Sequence, residues 1–458
     1  MKKTQKLSPK PKRSDKARAG AGSSRAASKS SGKGGARTKA SYAKGRAAAA
    51  ASRTSASSLC PVSGACGACQ AIDVPYDQQL SAKQEFIEAL FADVAPRAVI
   101  RPILGMQDPF HYRNKVISPY ARGKKLPAKP GRGASRGPRF EILTGMYAKG
   151  THRLVPTDTC LLENRVAKKV TLAVRDIMAR FGIEPYDEDA HAGFMRHAVV
   201  RVGHESGEVL VTLVTNGADF PSSKAFCREL IKRVPQVTTV VQNVNTRQTN
   251  VILGDEERTL YGPGFILDTL CGLSFRISSH SFYQVNATQT EVLYEAAVAL
   301  AAFDGTQTAI DAYCGTGTIG LVAAKRGAAR VIGVDNVASA IADARLNARH
   351  NGVENAEFVA ADAGAFMRDL AARRAGLSET EELVLLMDPP RAGSTPEFLD
   401  AAIELAPARI VYISCNPETQ VRDIAHLKRA GYRVEALQAV DMFPHTEHVE
   451  SIALITRG

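Results

Sequence analysis

From about residue 305 onward the chain alternates apolar strand-like runs with helical stretches, and this pattern limits the possible folds more than any other feature. Strands are expected at Thr308–Tyr313, Arg330–Asp335, Glu357–Ala361, Leu383–Asp388, Ile410–Ser414, Arg433–Val440 and Glu450–Thr456. Ala338–Arg349 and Thr419–Ala430 are two of the helices between them. Such alternation folds as an open α/β sheet, Rossmann-like in its winding, here with the last strand expected at an edge. Sheets of this kind bind ligands at the carboxyl ends of their strands. Residues able to do chemistry stand at those ends: Asp335, Asp362, Asp388 in Asp388-Pro389-Pro390-Arg391, and Cys415 in Ser414-Cys415-Asn416-Pro417.

The preceding residues read differently. Residues 79–94 have helical periodicity, with Leu80, Phe86, Ile87, Leu90 and Val94 on one face. A Gly/Pro/Lys/Arg-rich loop is expected over 122–139. Short apolar strands follow at Ala198–Val202, Val209–Val214 and Thr238–Gln242, as in an α+β unit. A length of 458 residues suits two or three domains. The division expected is a disordered basic tail (1–58), a central α+β domain (59–265) and an α/β domain (266–458). The net charge of +13 belongs to the tail: residues 1–58 hold sixteen Lys and Arg against one Asp, leaving −2 on the rest. That tail has too few apolar residues to offset its ordering entropy, and its charge suits the phosphate backbone of a nucleic acid. A solubilising tail and an Arg-rich transit peptide are the alternatives. No run approaches the length of a membrane span.

Eight cysteines, sparse over a chain this long, fit a reducing, cytoplasmic setting better than a disulfide framework. Three of them, Cys60, Cys66 and Cys69, fall within ten residues, which signals ligation; Cys160 is the best fourth ligand. Structural zinc and an iron–sulfur cluster both satisfy four thiolates. Cys227 and Cys271, in an apparent helix and a strand-like run, read as structural, and Cys314 as packing. The run Asp311-Ala312-Tyr313-Cys314-Gly315-Thr316-Gly317-Thr318-Ile319-Gly320 contains a literal G-x-G-x-x-G after a strand, with Asp335 twenty residues past Gly315. It satisfies the dinucleotide fingerprint, so a nicotinamide-dependent oxidoreductase is one reading. Asp311, however, would repel a pyrophosphate and could pair with the ammonium of S-adenosylmethionine. Asp335 is placed for ribose hydroxyls. Asp362 is placed for an adenine amino group, or is a plain strand-end aspartate. Cys415, with the late carboxylate Glu450, suggests a thiolate nucleophile and a separate base.

Asp388-Pro389-Pro390-Arg391-Ala392-Gly393 followed by Ile410-Val411-Tyr412-Ile413-Ser414-Cys415-Asn416-Pro417-Glu418-Thr419 resembles the signature of RNA uracil-5 methyltransferases. Asp441–Glu450 resembles that family's second signature, Ser281–Asn286 its cofactor-contacting segment, and Cys60–Gln70 the cluster segment of its iron–sulfur members. The resemblance covers residues 60–458 in consistent order. It implies a class I methyltransferase domain, with Cys415 as nucleophile and Glu450 as base. It implies that Gln284, Tyr313, Asp335 and Asp388 contact S-adenosylmethionine. It further implies that Cys60, Cys66, Cys69 and Cys160 hold a 4Fe–4S cluster. Ribosomal RNA, specifically 23S rRNA, is the substrate expected, because the cysteine segment marks that branch; a transfer-RNA enzyme is the alternative, as is a non-catalytic iron–sulfur RNA-binding factor. The protein is expected to act as a monomer. Two features depart from the family. Thr318 stands where some relatives have Asn, and residues 1–58 cannot form the small β-barrel that opens many ribosomal-RNA relatives. Attack of a thiolate at uracil C6 makes C5 enolate-like, and a carboxylate can then remove the C5 proton. A uridine treated so must leave its stack. In His111–Lys115 and Lys149–Arg153 basic and aromatic residues interleave, as in RNA-facing loops. Arg391 is placed for an RNA phosphate or for a salt bridge at a helix start.

Overall fold

The computed structural model describes residues 58–127, 140–374 and 382–458. All but the last residue of the expected basic tail, and positions 128–139 of the expected basic loop, lie outside the described residues. Residues 122–125 of that loop instead continue a strand.

In chain order the elements are α1 (Tyr76–Phe91), β1 (Ile100–Leu104), β2 (Lys115–Lys125), β3 (Phe140–Tyr147), β4 (Leu154–Pro156), α2 (Arg165–Phe181), β5 (Met195–Val202), β6 (Val209–Thr215), α3 (Ser223–Arg233), β7 (Val237–Val244) and β8 (Glu256–Tyr261). The hairpin β9 (Ile266–Leu270) and β10 (Leu273–Ile277) follows, turning through Cys271 and Gly272, both left-handed (φ +51° and +72°) as a tight hairpin requires. Cys271 therefore sits in a turn, not in a strand. The rest is α4 (Ala287–Ala301), β11 (Thr308–Ala312), α5 (Thr318–Lys325), β12 (Arg330–Asp335), α6 (Ala338–His350), β13 (Ala356–Ala360), α7 (Ala363–Arg374), β14 (Leu383–Met387), α8 (Pro396–Leu405), β15 (Arg409–Ser414), α9 (Pro417–Arg429), β16 (Tyr432–Val440) and β17 (Glu450–Arg457).

Two large sheets result. The C-terminal sheet has the order β1-β16-β17-β15-β14-β11-β12-β13 and is parallel except for β17, which runs antiparallel to both neighbours. The expectation of a final edge strand is thus corrected. Ser451-Ile452-Ala453 is buried on both faces, and a strand of that kind belongs inside a sheet. The edge is β1, which comes from the region assigned to the central domain and pairs in parallel with β16. The central sheet has the order β4-β3-β2-β5-β6-β7-β8, with β6 and β7 joined in parallel through α3. Helices α2 and α3 cover one of its faces, packing Val170, Val174, Phe226 and Leu230 on Val116, Ala198, Val200 and Val211. The other face meets the C-terminal unit: Leu210 and Val241 join the core around β9 and β10, and Thr212 Oγ1 donates to Ser279 Oγ at 2.9 Å.

Helix α1 buries Gln79, Lys83, Ile87 and Phe91, a stripe at four-residue spacing that differs from the purely apolar face expected. The two polar members hold the loop before β17. Lys83 Nζ lies 2.6 Å from Asp441 Oδ1, with both side chains almost wholly buried, and also donates to the Phe443 carbonyl. Tyr76 donates to the other Asp441 oxygen at 2.9 Å. Gln79 exchanges hydrogen bonds with His445, accepting its backbone N–H and facing its Nδ1. His445 is held at φ +65° and stacks on Phe110, while its carbonyl accepts the N–H groups of Gln70 and Ala71 in the cysteine segment. Removing one partner of a buried ion pair strands the other charge, which costs about 3–5 kcal/mol. Lys83→Met is therefore expected to lower stability by about that amount in urea unfolding, while an exposed change such as Glu85→Gln shifts it by less than about 0.5 kcal/mol.

Candidate active site

Antiparallel pairing of β15 and β17 matches Ile413 with Ile452 and Ser414 with Ser451. Cys415 directly follows and Glu450 directly precedes that last pair, and Glu450 is among the charges that raise the Cys415 thiol. The turn carrying Cys415 is pinned on both sides: Ser414 Oγ donates to the Asn416 carbonyl and accepts the Asn416 N–H. Asn416 Nδ2 donates to the Arg391 carbonyl at 3.0 Å, tying this turn to the one after β14. Pro417 then opens α9 at the position where a missing N–H is harmless.

These two turns and β17 gather four ionisable groups. Burial pushes Glu450 up to about 8, Asp388 adds to the rise, and Arg391 opposes it. Burial likewise pushes Asp388 up to about 7. The Cys415 thiol is also raised, first by burial and then by Glu450 and Asp388, while the Arg391 guanidinium favours the thiolate. Arg391 thus turns toward the sulfur, a placement that neither the phosphate reading nor the helix-start salt bridge anticipated. Perturbed carboxylates beside a half-buried thiol form the pattern of a nucleophile and a base.

The glycine loop lies at the ends of β11 and β12. Tyr313 is left-handed (φ +64°), as are Gly315 and Gly317. A Cβ added at Gly315 would meet nothing within 4 Å, so the loop's outer face is open to a ligand. Asp335 accepts the Gly315 N–H through Oδ2 and the Val337 N–H through Oδ1. Tyr313 packs its ring on Phe398 at 5.0 Å. Asp311 is buried and spends one oxygen on the Gly320 N–H at 2.8 Å. It pins α5, and burial lifts its pKa to about 7, which weakens the ammonium-pairing expectation. Asp362 accepts the Ala365 N–H at 2.8 Å and so starts α7, which supports the plain strand-end reading. Gln284 and Val285 are held through their carbonyls by the Asn114 side chain and backbone. Thr318 Oγ1 lies 3.1 Å from the hydroxyl of Tyr294, a buried residue that the sequence did not single out. The open glycine loop, its flanking carboxylate and the polar strand ends fit S-adenosylmethionine.

Cys60, Cys66, Cys69 and Cys160 line one small cavity, walled by Val62, Ile72, Met146 and Leu161. Burial raises the Cys69 thiol to about 12, and Cys160, Cys66 and Cys60 each push it further, which places the other three sulfurs near that of Cys69. Among the described residues no three His, Cys, Asp or Glu side chains are grouped so as to hold a single metal ion.

A carboxylate with a raised folded-state pKa contributes stability below its unfolded value near 4.5, and that contribution is lost as pH rises through about 8. Glu450→Gln, neutral throughout, is accordingly expected to raise Tm at pH 8 and to leave it nearly unchanged at pH 4, as read by calorimetry.

The family model described as tRNA (Uracil-5-)-methyltransferase matches residues 270–458. An RNA methyltransferase of Halalkalibacterium halodurans, itself uncharacterized, is 39% identical over 398 residues, spanning 86% of this chain and 82% of its own. One from Oceanobacillus iheyensis is 40% identical over 394 residues, 85% and 81% of the two chains. Among solved structures, the Pyrococcus abyssi tRNA (uracil-54, C5)-methyltransferase in complex with S-adenosyl-L-homocysteine superposes with a TM-score of 0.67 at 27% identity, covering 85% of this chain and 86% of that one. With relatives of this similarity over most of both chains, and with this glycine loop, the protein belongs to the S-adenosylmethionine-dependent RNA uracil-5 methyltransferase family.

Proposed function

We propose that the protein methylates C5 of a uridine in RNA through a covalent adduct on Cys415, with Glu450 removing the C5 proton. The observation that supports this reading is the Ser414–Ser451 pair that ends the register of β15 and β17, with Cys415 just after it and the buried Glu450 just before it. Bound S-adenosylmethionine supplies an electrophilic methyl group. The protein's own residues do the rest. Arg391 favours the Cys415 thiolate, which attacks C6 and makes C5 nucleophilic. Once the sulfur is a thioether its charge no longer opposes ionisation of Glu450. The base thereby becomes competent as elimination requires it. Transfer of the C5 proton to Glu450 expels the thiolate and restores the ring. Gln284, Tyr313, Asp335, Asp362 and Asp388 bind the cofactor, Asp362 also ordering the adjoining helix start.

The same reading places a 4Fe–4S cluster on Cys60, Cys66, Cys69 and Cys160, which would tie the cysteine segment to the β3–β4 region. It takes 23S ribosomal RNA as substrate, on the strength of that segment, and a monomer in the cytoplasm as the working form. A transfer RNA is the second reading, favoured by the similarity to the Pyrococcus abyssi enzyme.

Two experiments test these assignments. Glu450→Gln permits attack and methyl transfer but not elimination, so it is expected to accumulate an RNA–protein adduct that survives denaturing electrophoresis; Cys415→Ala yields none while still binding cofactor. Adducts on Cys415→Ala, or none on Glu450→Gln, contradict the roles. For the cluster, Cys69→Ala purified without oxygen is expected to lose both iron and brown colour and to unfold at lower temperature. A colourless wild-type protein loaded with zinc refutes it.

A further inference from the structure

The central-sheet face turned away from α2 and α3 is only partly covered. At one end Arg201 donates to the Ser281 carbonyl and Thr212 to Ser279, closing that face against the methyltransferase unit. Beyond this contact it opens into a groove of about 780 Å³ lined by Ile117, Met146, Tyr147, Lys149, His197 and Val251. Ile117 and Val251 expose 36% and 50% of their surface, unusual for large apolar residues in this chain. His197 is only 4% exposed, yet its Nδ1 has no hydrogen-bond partner. The adjoining Arg196, also in the lining, leaves Nε unpartnered while its other nitrogens hold the Asn245 and Arg247 carbonyls and Glu188. Buried polar groups almost always find a partner, so two orphans at one groove call for a ligand that supplies it.

We propose that this groove is a second nucleotide subsite, which receives an unstacked base of the substrate RNA a few nucleotides from the target uridine. The proposal rests on RNA being the substrate. Its chemistry is that of a base, not of a phosphate. Burial, reinforced by Arg196, holds the His197 pKa down to about 4, so the imidazole is neutral near pH 7 and offers one donor and one acceptor. The lining of Ile117, Met146, Tyr147 and Val251 suits the flat face of a base. Lys149 lies in the lining, with Arg153 exposed in the same turn, and these cations suit the flanking phosphates. Strand β2 joins the two sites. Asn114, just before it, holds the Gln284 segment, while Ile117 and Pro119 line the groove, about 10–16 Å further at about 3.3 Å per residue. That span is short enough for one RNA strand lying along the Gln284 segment to reach the groove. Met146 and Ala68 line the groove and the cysteine cavity alike, so the cysteine segment shapes this subsite.

The test is a short single-stranded RNA of mixed sequence carrying 4-thiouridine, photocrosslinked to the full-length protein and mapped by mass spectrometry. Crosslinks are expected on peptides containing Ile117, Tyr147 or Val251. Val251→Glu, at an exposed position that leaves folding intact, is expected to weaken RNA binding about tenfold, the loss from one unstacked base, with S-adenosylmethionine binding unchanged. His197→Gln, which retains a donor and an acceptor, is expected to weaken binding less than His197→Leu. Crosslinks confined to other surfaces overturn the proposal, and so does wild-type affinity in Val251→Glu. Because binding is the readout, a wild-type protein that crosslinks in the groove but forms no 5-methyluridine overturns the catalytic reading and leaves the subsite standing.

Discussion

Strand β17 enters the sheet antiparallel between β15 and β16, and the site is built around that insertion. A parallel neighbour would have brought its carboxyl end to the Cys415 turn. The antiparallel one brings its amino end, and with it Glu450, one register step past the Ser414–Ser451 pair. The loop that delivers β17 is held from the other side of the chain by Lys83, Tyr76 and Gln79 of α1. Through His445 the same loop carries the cysteine segment. One buried ion pair therefore positions both a candidate catalytic strand and a candidate cluster site.

The electrostatics of the site follow from its dryness. Three acidic groups, Cys415, Glu450 and Asp388, are raised chiefly by burial; Asp388 adds to the rise at Glu450, both carboxyls add to it at Cys415, and Arg391 is the cation that opposes it at Cys415 and Glu450. In such a setting the groups cannot all carry charge together. That shortage of charge is a stability cost in the empty protein and a means of ordering proton transfers during turnover. A site in water would have neither property.

The sequence made the C-terminal strands legible almost to the residue, because a parallel strand buried on both faces reads as an unbroken apolar run between polar turns. Arg330–Asp335 needs no adjustment, and Leu383–Asp388 is one residue too long. Strand order was not legible. Nothing local in Glu450–Arg457 tells that it lies between two other strands, and nothing in Ile100–Leu104 tells that it pairs with residues more than 330 positions away. The stripe on α1 was misread because periodicity counts apolar residues, whereas the buried face includes Gln79 and Lys83, satisfied only by a loop far along the chain. Asp362 and Asp311 show the same limit in the site. A carboxylate near a strand end reads alike whether it meets a ligand, a backbone N–H or both, and here Asp311, Asp335 and Asp362 all accept backbone N–H groups. Cys415, Asp388, Arg391 and Glu450 were legible as a set from their motifs, but their mutual placement was not.

The most direct measurement of the central claim follows the C5 hydrogen itself. RNA carrying tritium at C5 of its uridines is incubated with the wild-type protein and S-adenosylmethionine bearing a carbon-14 methyl group, and both labels are counted. Proton removal at C5 after methyl addition releases one tritium into water for each methyl group fixed in RNA. Methylated RNA that retains its C5 tritium would contradict the account, since no base at Glu450 would then be acting on that carbon.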